Sequence, residues 1–332
     1  MKILITGATG FVGGNLLRLL AQDPSNELFY ISRGGKEAPA AEGLERVTCL
    51  TGDVTDYPSL LTACKDIDIV YHIAAMVSSL ERNRKAMELI NVDGTRNILN
   101  AALNQHVKRF VHLSSVDAVG VNTDGSPANE KTTYNFDTLN NPYCDTKKAA
   151  EACVYEAIKK GLDAVIINPS LMIGAWDVKY SSSRMVLEVM HGKMIAVTKG
   201  GNSFVSVLDV CRGAILAAEK GKTGERYILG GHNLTYMEFF SLAALICGKT
   251  KPLIILPNWL AKGVAIIFEN TASLLHIKPF VSYNDAVIGL MPHYYSSEKA
   301  IKELGYIISP IEVAIINARD WFNAHKVKRK TA

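Results

Sequence analysis

The stretch Thr6-Gly7-Ala8-Thr9-Gly10-Phe11-Val12-Gly13 decides the fold of this chain. It follows Lys2-Ile3-Leu4-Ile5, an apolar run suited to a short buried strand, and it leads into Phe11–Leu20, whose apolar positions suit a helix. Strand, glycine turn and helix N-terminus together make a phosphate site, because backbone N–H groups and the helix dipole both favour an anion there. Gly7 permits the tight turn, Gly10 lets a pyrophosphate approach the backbone, and Gly13 lets the helix pack close to the strand. Thr9, Phe11 and Val12 complete the same turn. The expectation is a dinucleotide-binding chain.

Outward from this turn, the first half alternates strand and helix. Strand-like runs are Ile3–Thr6, Leu28–Ser32, Val47–Leu50, Ile69–Ile73, Phe110–Ser114 and Ala164–Asn168. Helix-like runs are Phe11–Leu20, Tyr57–Cys64, Lys85–Gln105 and Tyr143–Lys160. Alternation of this kind predicts an α/β, doubly wound parallel sheet of Rossmann type, with ligands at the carboxyl ends of the strands. After about residue 168 the rhythm breaks at Pro169, Gly174, Ser181–Ser183, Gly200-Gly201 and Gly230-Gly231. Residues 1–174 read as the dinucleotide-binding core, completed by 205–230, with Ser206 to Lys220 as one more helix on the sheet. Residues 175–204 and 231–305 read as a smaller C-terminal substrate lobe built from insertions. Residues 306–332 read as a surface helix anchored by Trp321 and Phe322, followed by a basic tail.

Composition narrows the function classes. The chain has 332 residues, 48% of them hydrophobic and 20% charged, as in a soluble globular protein. Thirty-six Lys and Arg against 32 Asp and Glu leave a net charge of +4, too weak to argue for nucleic acid. The N-terminal apolar run is too short for a signal peptide, and the stretch Leu253 to Phe268 is interrupted by Pro257, Asn258 and Lys262, so no transmembrane segment is expected. Six cysteines without a CxxC pair read as reduced thiols of a cytoplasmic protein. Eight histidines without ligand spacing indicate no metal site.

The second strand runs into Ser32-Arg33-Gly34-Gly35-Lys36. An acidic residue there would accept hydrogen bonds from the ribose of NAD. Arg33, seconded by Lys36, instead suits the 2′-phosphate of NADP(H), the favoured cofactor. Asp53, in Gly52-Asp53-Val54, is placed to accept from the adenine amino group, or else caps the next helix in competition with Asp56. Ala74 and Ala75 after the fourth strand leave room for the cofactor. YxxxK spacing puts a phenol and an ammonium one helical turn apart, where the cation favours phenolate. It occurs at Tyr143/Lys147, Tyr155/Lys159 and Tyr295/Lys299. Tyr143 opens the helix after the fifth strand, at the carboxyl edge of the sheet. Tyr155 is about 18 Å further along the same helix, and Tyr295 lies outside the alternating region. Ser114 and Ser115 end the fifth strand, where a hydroxyl can hold a substrate oxygen.

These motifs resemble the extended branch of the short-chain dehydrogenase/reductase superfamily, of NAD-dependent epimerase/dehydratase type. The resemblance rests on the glycine turn, Gly52-Asp53-Val54, His72-Ile73-Ala74-Ala75, Asn91-Val92-Asp93-Gly94-Thr95, Leu113-Ser114-Ser115 and Tyr143-Cys144-Asp145-Thr146-Lys147, and it covers essentially the whole chain. It implies Ser115 as catalytic serine, Tyr143 as general acid/base, Lys147 as its activator and Asn91 as a residue shaping the helix around the proton relay. It also implies cofactor contacts from Tyr143, Lys147, Pro169 and Ser170. Asn168-Pro169-Ser170-Leu171-Met172-Ile173-Gly174-Ala175-Trp176-Asp177, Gly224 to Gly231 and Ser297-Glu298-Lys299-Ala300 resemble the dihydroflavonol 4-reductase and 3β-hydroxysteroid dehydrogenase group. The helices Lys85–Gln105 and Tyr143–Lys160 often form a dimer interface in the superfamily, which implies a homodimer. Sugar-nucleotide dehydratases of the branch carry an acidic pair after the catalytic Ser/Thr. Val116-Asp117 stands there in this chain and argues against dehydration.

Three functions compete. The first is an NADP(H)-dependent reductase of a ketone or aldehyde, or the reverse dehydrogenase. Its largely apolar small-molecule substrate would be met by Ser115, Met172, Trp176, Met185, Phe204 and apolar residues near Trp259–Phe268. The second is a nucleotide-sugar epimerase with tightly bound NAD, disfavoured by Arg33 and by the scatter of Arg184, Arg212 and Arg226. The third is a non-catalytic dinucleotide sensor, which has no need of Tyr143, Lys147 and Ser115 together.

Overall fold

Successive residues of the first strand, β1 (Lys2–Thr6), enter opposite layers: Ile3 and Ile5 pack into one helical layer and Leu4 into the other. The same alternation separates Tyr71 from Val70, Val111 from Phe110, and Val165 and Ile167 from Ile166. Apolar residues on both faces are what a parallel sheet covered on both sides demands. The computed structural model describes residues 1–139, 141–192, 194–274 and 283–325.

Beyond β1, the strands are β2 (Glu27–Ser32), β3 (Val47–Thr51), β4 (Ile69–His72), β5 (Arg109–Leu113), β6 (Ala164–Pro169), β7 (Leu171–Ile173), β8 (Ala196–Val197), β9 (Gly201–Ser206), β10 (Arg226–Leu229), β11 (His232–Thr235), β12 (Ile254–Ile255) and β13 (Pro292–His293). The helices are α1 (Phe11–Leu20), α2 (Tyr57–Ala63), α3 (Arg84–Met87), α4 (Gly94–Asn104), α5 (Pro142–Lys159), α6 (Arg184–Met190), α7 (Val207–Lys220), α8 (Tyr236–Cys247), α9 (Asn258–Leu274), α10 (Tyr283–Ile288), α11 (Glu298–Leu304) and α12 (Ile311–Ala324).

Seven strands form one parallel sheet in the order β10-β6-β5-β4-β1-β2-β3. The chain winds outward from β1 through β2 and β3, then returns to place β4 on the other side of β1. That reversal opens a crevice at the carboxyl ends of β1 and β4. Helices α1 and α7 cover one face, while α2, α4 and α5 cover the other. β10, a late strand, pairs with β6 and extends that edge.

A second layer rests on β9, which pairs with β7, β11 and β13. Phe204, Phe239, Phe240, Ile315, Trp321 and Phe322 form its core, so α12 packs by its Trp321 and Phe322 side into the lobe. A two-stranded ribbon, β8 with β12, stands apart from this layer. The basic run Lys326 to Lys330 lies outside the described residues.

One expected helix is divided. Residues 85–105 form α3, a π-helical stretch Glu88–Asp93, and α4. The wider turn carries Asn91, which bonds to a loop outside the helix. π-turns of this kind gather at functional sites.

Candidate active site

The glycine turn is held by contacts that exclude side chains. Gly7 has φ +80°, and a Cβ there would meet Ala74 N at 2.8 Å. A Cβ on Gly13 would collide with the Gly7 carbonyl. Gly10 N–H donates to Gly7 O at 2.9 Å, and no side chain caps α1. The first-turn N–H groups therefore have no capping side chain to receive them, as an anion site requires.

A chain of hydrogen bonds ties this turn to α4, and its protons can be assigned. Thr95 Oγ1 donates to Asn91 O at 2.6 Å, so it must accept from His72 Nε2–H at 2.9 Å. His72 Nδ1 then carries no proton and accepts from Thr6 Oγ1 at 2.8 Å. Thr6 Oγ1 in turn accepts the N–H groups of Ile73 and Ala74, both at 3.1 Å. Burial, assisted by the nearby Lys147 charge, pushes the His72 pKa down to about 3, which keeps the ring neutral. Ala74 and Ala75 follow β4, beside the turn.

Asn91 grips the next loop residue in both senses. Its Oδ1 accepts from Met76 N at 2.7 Å and its Nδ2 donates to Met76 O at 2.9 Å. The same Nδ2 donates to Thr146 Oγ1 at 3.1 Å, which links the π-turn to α5 one residue before Lys147.

Helix α5 begins where Asn141 Oδ1 accepts Tyr143 N–H at 3.0 Å with Pro142 at the first turn. Lys147, buried one turn on, donates its Nζ to Leu113 O at 2.6 Å, at the end of β5. Burial lowers its pKa from 10.5 to about 8, with Glu151 and Asp117 acting in the opposite direction. Asn168 on β6 donates to Ser115 O at 2.8 Å and to Glu151 Oε1 at 2.6 Å. Arg226 approaches the other Glu151 oxygen at 3.4 Å. Ser115 and Lys147 are thus both fixed to the carboxyl end of the sheet, and Tyr143 opens the same helix.

In the protein alone the surroundings of the phenol oppose phenolate. Burial, followed by the Asp117 carboxylate, raises the Tyr143 pKa, with the Ser115 hydroxyl acting against them. One N–H of the Lys147 ammonium goes to the Leu113 carbonyl, which leaves two further donors. In the protein alone Tyr143 is held protonated.

Asp117 is the residue that sequence reasoning undervalued. Ser115 Oγ donates to Asp117 Oδ2 at 2.8 Å and accepts Asp117 N–H at 3.2 Å. The Asp117 charge also acts on His293, a buried ring stacked on Phe136 whose Nδ1 donates to Met291 O at 3.3 Å. His293 Nε2 has no partner. No local motif announces His293, because it reaches the site through β13, far along the chain. Tyr295 also arrives this way: its hydroxyl donates to Val116 O at 3.5 Å, while Lys299 turns away to Glu225 and the Arg226 carbonyl. The third YxxxK pair is split between two places.

Arg33 and Lys36 are exposed at the end of β2, and neither enters an ion pair among the described residues. Asp53 Oδ1 accepts both the N–H and the hydroxyl of Thr55 at 2.9 Å, a local cap, and Val54 is buried. Pro169 and Ser170 are buried at the end of β6.

Two expected substrate contacts are corrected. Phe204 is fully buried and stacks on Phe239 with ring centroids 4.0 Å apart, so it fills the lobe core. Trp176, at φ +65°, is taken up by the Arg18 guanidinium 4.6 Å from its ring and by Trp321. Met172 and Met185 are half-buried against the sheet and lobe cores respectively. Trp259, Ile266 and Ile267 point to solvent instead of lining a substrate cavity.

This arrangement, a glycine turn at the head of a seven-stranded parallel sheet with Ser115, Tyr143 and Lys147 near the same carboxyl edge, is that of an extended short-chain dehydrogenase/reductase. Residues 3–230 match the sequence model of the NAD dependent epimerase/dehydratase family, and the chain belongs to that family. It is 33% identical over 328 residues, covering 97% of this chain and 94% of the relative, to a Synechocystis sp. protein provisionally named dihydroflavonol 4-reductase. It is 32% identical to sterol demethylase protein B of Methylococcus capsulatus, covering 97% and 98% of the two chains. The crystal structure of gox2253 superimposes with a TM-score of 0.85 at 34% identity, covering 98% of each chain. The family uses a nicotinamide dinucleotide, and relatives of these kinds support NAD(P)-dependent oxidoreduction.

Proposed function

We propose that this protein is an NADP(H)-dependent oxidoreductase that interconverts a ketone or aldehyde and its alcohol on a largely apolar small molecule. The observation that carries this reading is the fixing of Ser115 and Lys147 to one carboxyl edge of the sheet, with Tyr143 on the same helix, across from the glycine turn. Gly7, Thr9, Gly10, Phe11, Val12 and Gly13 would hold the pyrophosphate, Arg33 and Lys36 the 2′-phosphate, and Asp53, Val54, Ala74, Ala75, Pro169 and Ser170 the remaining length of the cofactor. When bound, the reduced cofactor supplies the hydride. Ser115 holds the substrate oxygen. Tyr143, kept protonated by burial and by Asp117, gives its proton to that oxygen. The Lys147 ammonium stabilises the phenolate this leaves until a proton from solvent restores the phenol, and Asn91 keeps the π-turn in place against Thr146.

The relatives' names, a dihydroflavonol reductase and a sterol demethylase component, support a substrate with fused or linked rings. Met172 and Met185 are the lobe residues retained for contact with it. The six free cysteines fit a reducing compartment, the cytoplasm, and α4 with α5 is the surface on which a homodimer would form.

The test is a titration with NADPH and NADH, followed by a screen of apolar ring ketones. Wild type is expected to prefer NADPH, and Arg33→Asp to weaken NADPH by roughly tenfold or more while leaving NADH unharmed, since a bidentate guanidinium–phosphate pair is lost. Preference for NADH, or NAD that copurifies and does not exchange, would instead favour an epimerase.

Asp117→Asn gives a second check. Asparagine still accepts from Ser115 but removes the charge that opposes phenolate. The pH profile of alcohol oxidation, which needs phenolate as base, is expected to move to lower pH by about one. An unmoved profile would show that Asp117 does not act on the reacting phenol.

A further inference from the structure

The C-terminal lobe carries an apolar surface built the wrong way round for a water-facing protein. Helix α9 buries Ala261 and Ala265 and turns Trp259, Ile266 and Ile267 outward, with Trp259 75% and Ile267 67% exposed. At about 100° per residue these three outward positions share one stripe, with Gly263 between them. The ribbon that precedes the helix is apolar and exposed as well. Leu253 N–H donates to Ile195 O at 2.9 Å, β12 pairs with β8, and Ile195, Leu253, Ile254 and Ile255 are all exposed, Leu253 by 70%. Seven large apolar side chains on one ribbon and the helix after it exceed what single scattered exposures explain.

The charges along this stretch are mostly positive. From Leu245 to the end of α9 the charged residues are Lys249, Lys251, Lys262 and Glu269. Lys249 and Lys251 are exposed on the loop beside the ribbon, and Lys262 lies at the edge of the stripe. A tryptophan, branched aliphatic side chains and an excess of lysine are the chemistry of a helix lying in a lipid interface. A second copy of the chain fits less well, because a two-fold contact would bring lysines to the same lysines. No helix among the described residues is long and apolar enough to cross a membrane, so the contact is with the surface.

We propose that the face formed by Ile195, Leu253–Ile255 and the Trp259/Ile266/Ile267 side of α9 docks on an anionic lipid bilayer. Binding there needs nothing of the catalytic roles assigned above, and it would bring the substrate lobe to the phase in which an apolar ketone dissolves.

The experiment uses the full chain with vesicles of phosphatidylcholine alone and of phosphatidylcholine mixed with phosphatidylglycerol, read by co-sedimentation and by tryptophan emission. The expected result is binding to the anionic vesicles with a blue shift from Trp259, weakened by salt. The double variant Ile266→Glu/Ile267→Glu is expected to lose binding by at least about tenfold while retaining its NADPH affinity. Lys249→Glu/Lys251→Glu, on an exposed loop that does not threaten folding, is expected to weaken anionic binding by a similar factor. Absence of binding to anionic vesicles by folded wild type would overturn the proposal. So would unchanged binding in both variants, or self-association abolished by Ile266→Glu/Ile267→Glu with no vesicle binding.

Discussion

Tyr143→Phe is expected to lower kcat for carbonyl reduction by about a thousandfold or more while changing the NADPH dissociation constant by less than about threefold. The substitution removes one hydroxyl, the group that delivers the proton, and leaves a ring of the same shape on α5. Asn141 still caps the helix through the backbone N–H of residue 143, and Lys147 still reaches Leu113 O, so the scaffold is preserved. Single-turnover measurements with saturating NADPH separate the chemical step from cofactor binding. A loss of only a few-fold would move proton delivery to another group, with Asp117 through Ser115 the first to examine. An unchanged kcat would return Tyr143 to a purely structural role.

Lys147→Met is expected to do two opposite things: cut turnover by about a hundredfold or more and make the cofactor-free protein more stable. A buried ammonium whose pKa falls from 10.5 to about 8 is disfavoured in its charged form by about 3 kcal/mol. The sign follows from proton counting. Between about pH 8 and 10.5 the unfolded chain binds more protons at this site than the folded one, so wild-type stability rises with pH across that window. Below about pH 8 the lysine is charged in both states and its full cost is present. Methionine removes the cost and the pH dependence together, and calorimetry of the cofactor-free protein at neutral and alkaline pH reads both. The Leu113 carbonyl and Glu151 lose a donor and a neighbouring charge, which offsets part of the gain. A lower melting temperature in the variant at neutral pH would mean that these lost partners outweigh burial.

The parts of this molecule legible in sequence are those where backbone chemistry dictates residue type. At Gly7 and Gly13 a side chain would strike Ala74 or the Gly7 carbonyl, so glycine is forced and the turn can be read before any coordinates exist. The strand order follows from the same alternation that separates Ile3 and Ile5 from Leu4. Ser115, Tyr143 and Lys147 were legible because each sits at a strand end or a helix start within the alternating half. Long-range pairing was not. Nothing local says that the bridge between Ala128 and Tyr295 carries Tyr295 to Val116, or that β13 brings His293 under the influence of Asp117. Apolar identity alone also misleads about direction. Phe204 and Trp259 look alike as candidate substrate contacts, yet one fills the lobe core and the other faces solvent. The surroundings of the phenol were not legible for a related reason: its pKa depends on burial and on a carboxylate two residues beyond Ser115, which helical spacing does not report.

The turn after β2 carries a consequence for how this protein can change. Gly34 and Gly35 sit at φ +65° and would strain any side chain, whereas Arg33 and Lys36 on either side of them are exposed and outside any ion pair among the described residues. Exposed positions of this kind alter stability by only about half a kcal/mol in either direction. The group that would choose between two cofactors is thus mechanically insulated from the core that holds them. Under the proposed role of Arg33 and Lys36, cofactor choice could be redesigned at those two positions at little thermodynamic penalty, whereas an equal number of changes at Gly7, Gly13 or His72 would dismantle the turn itself.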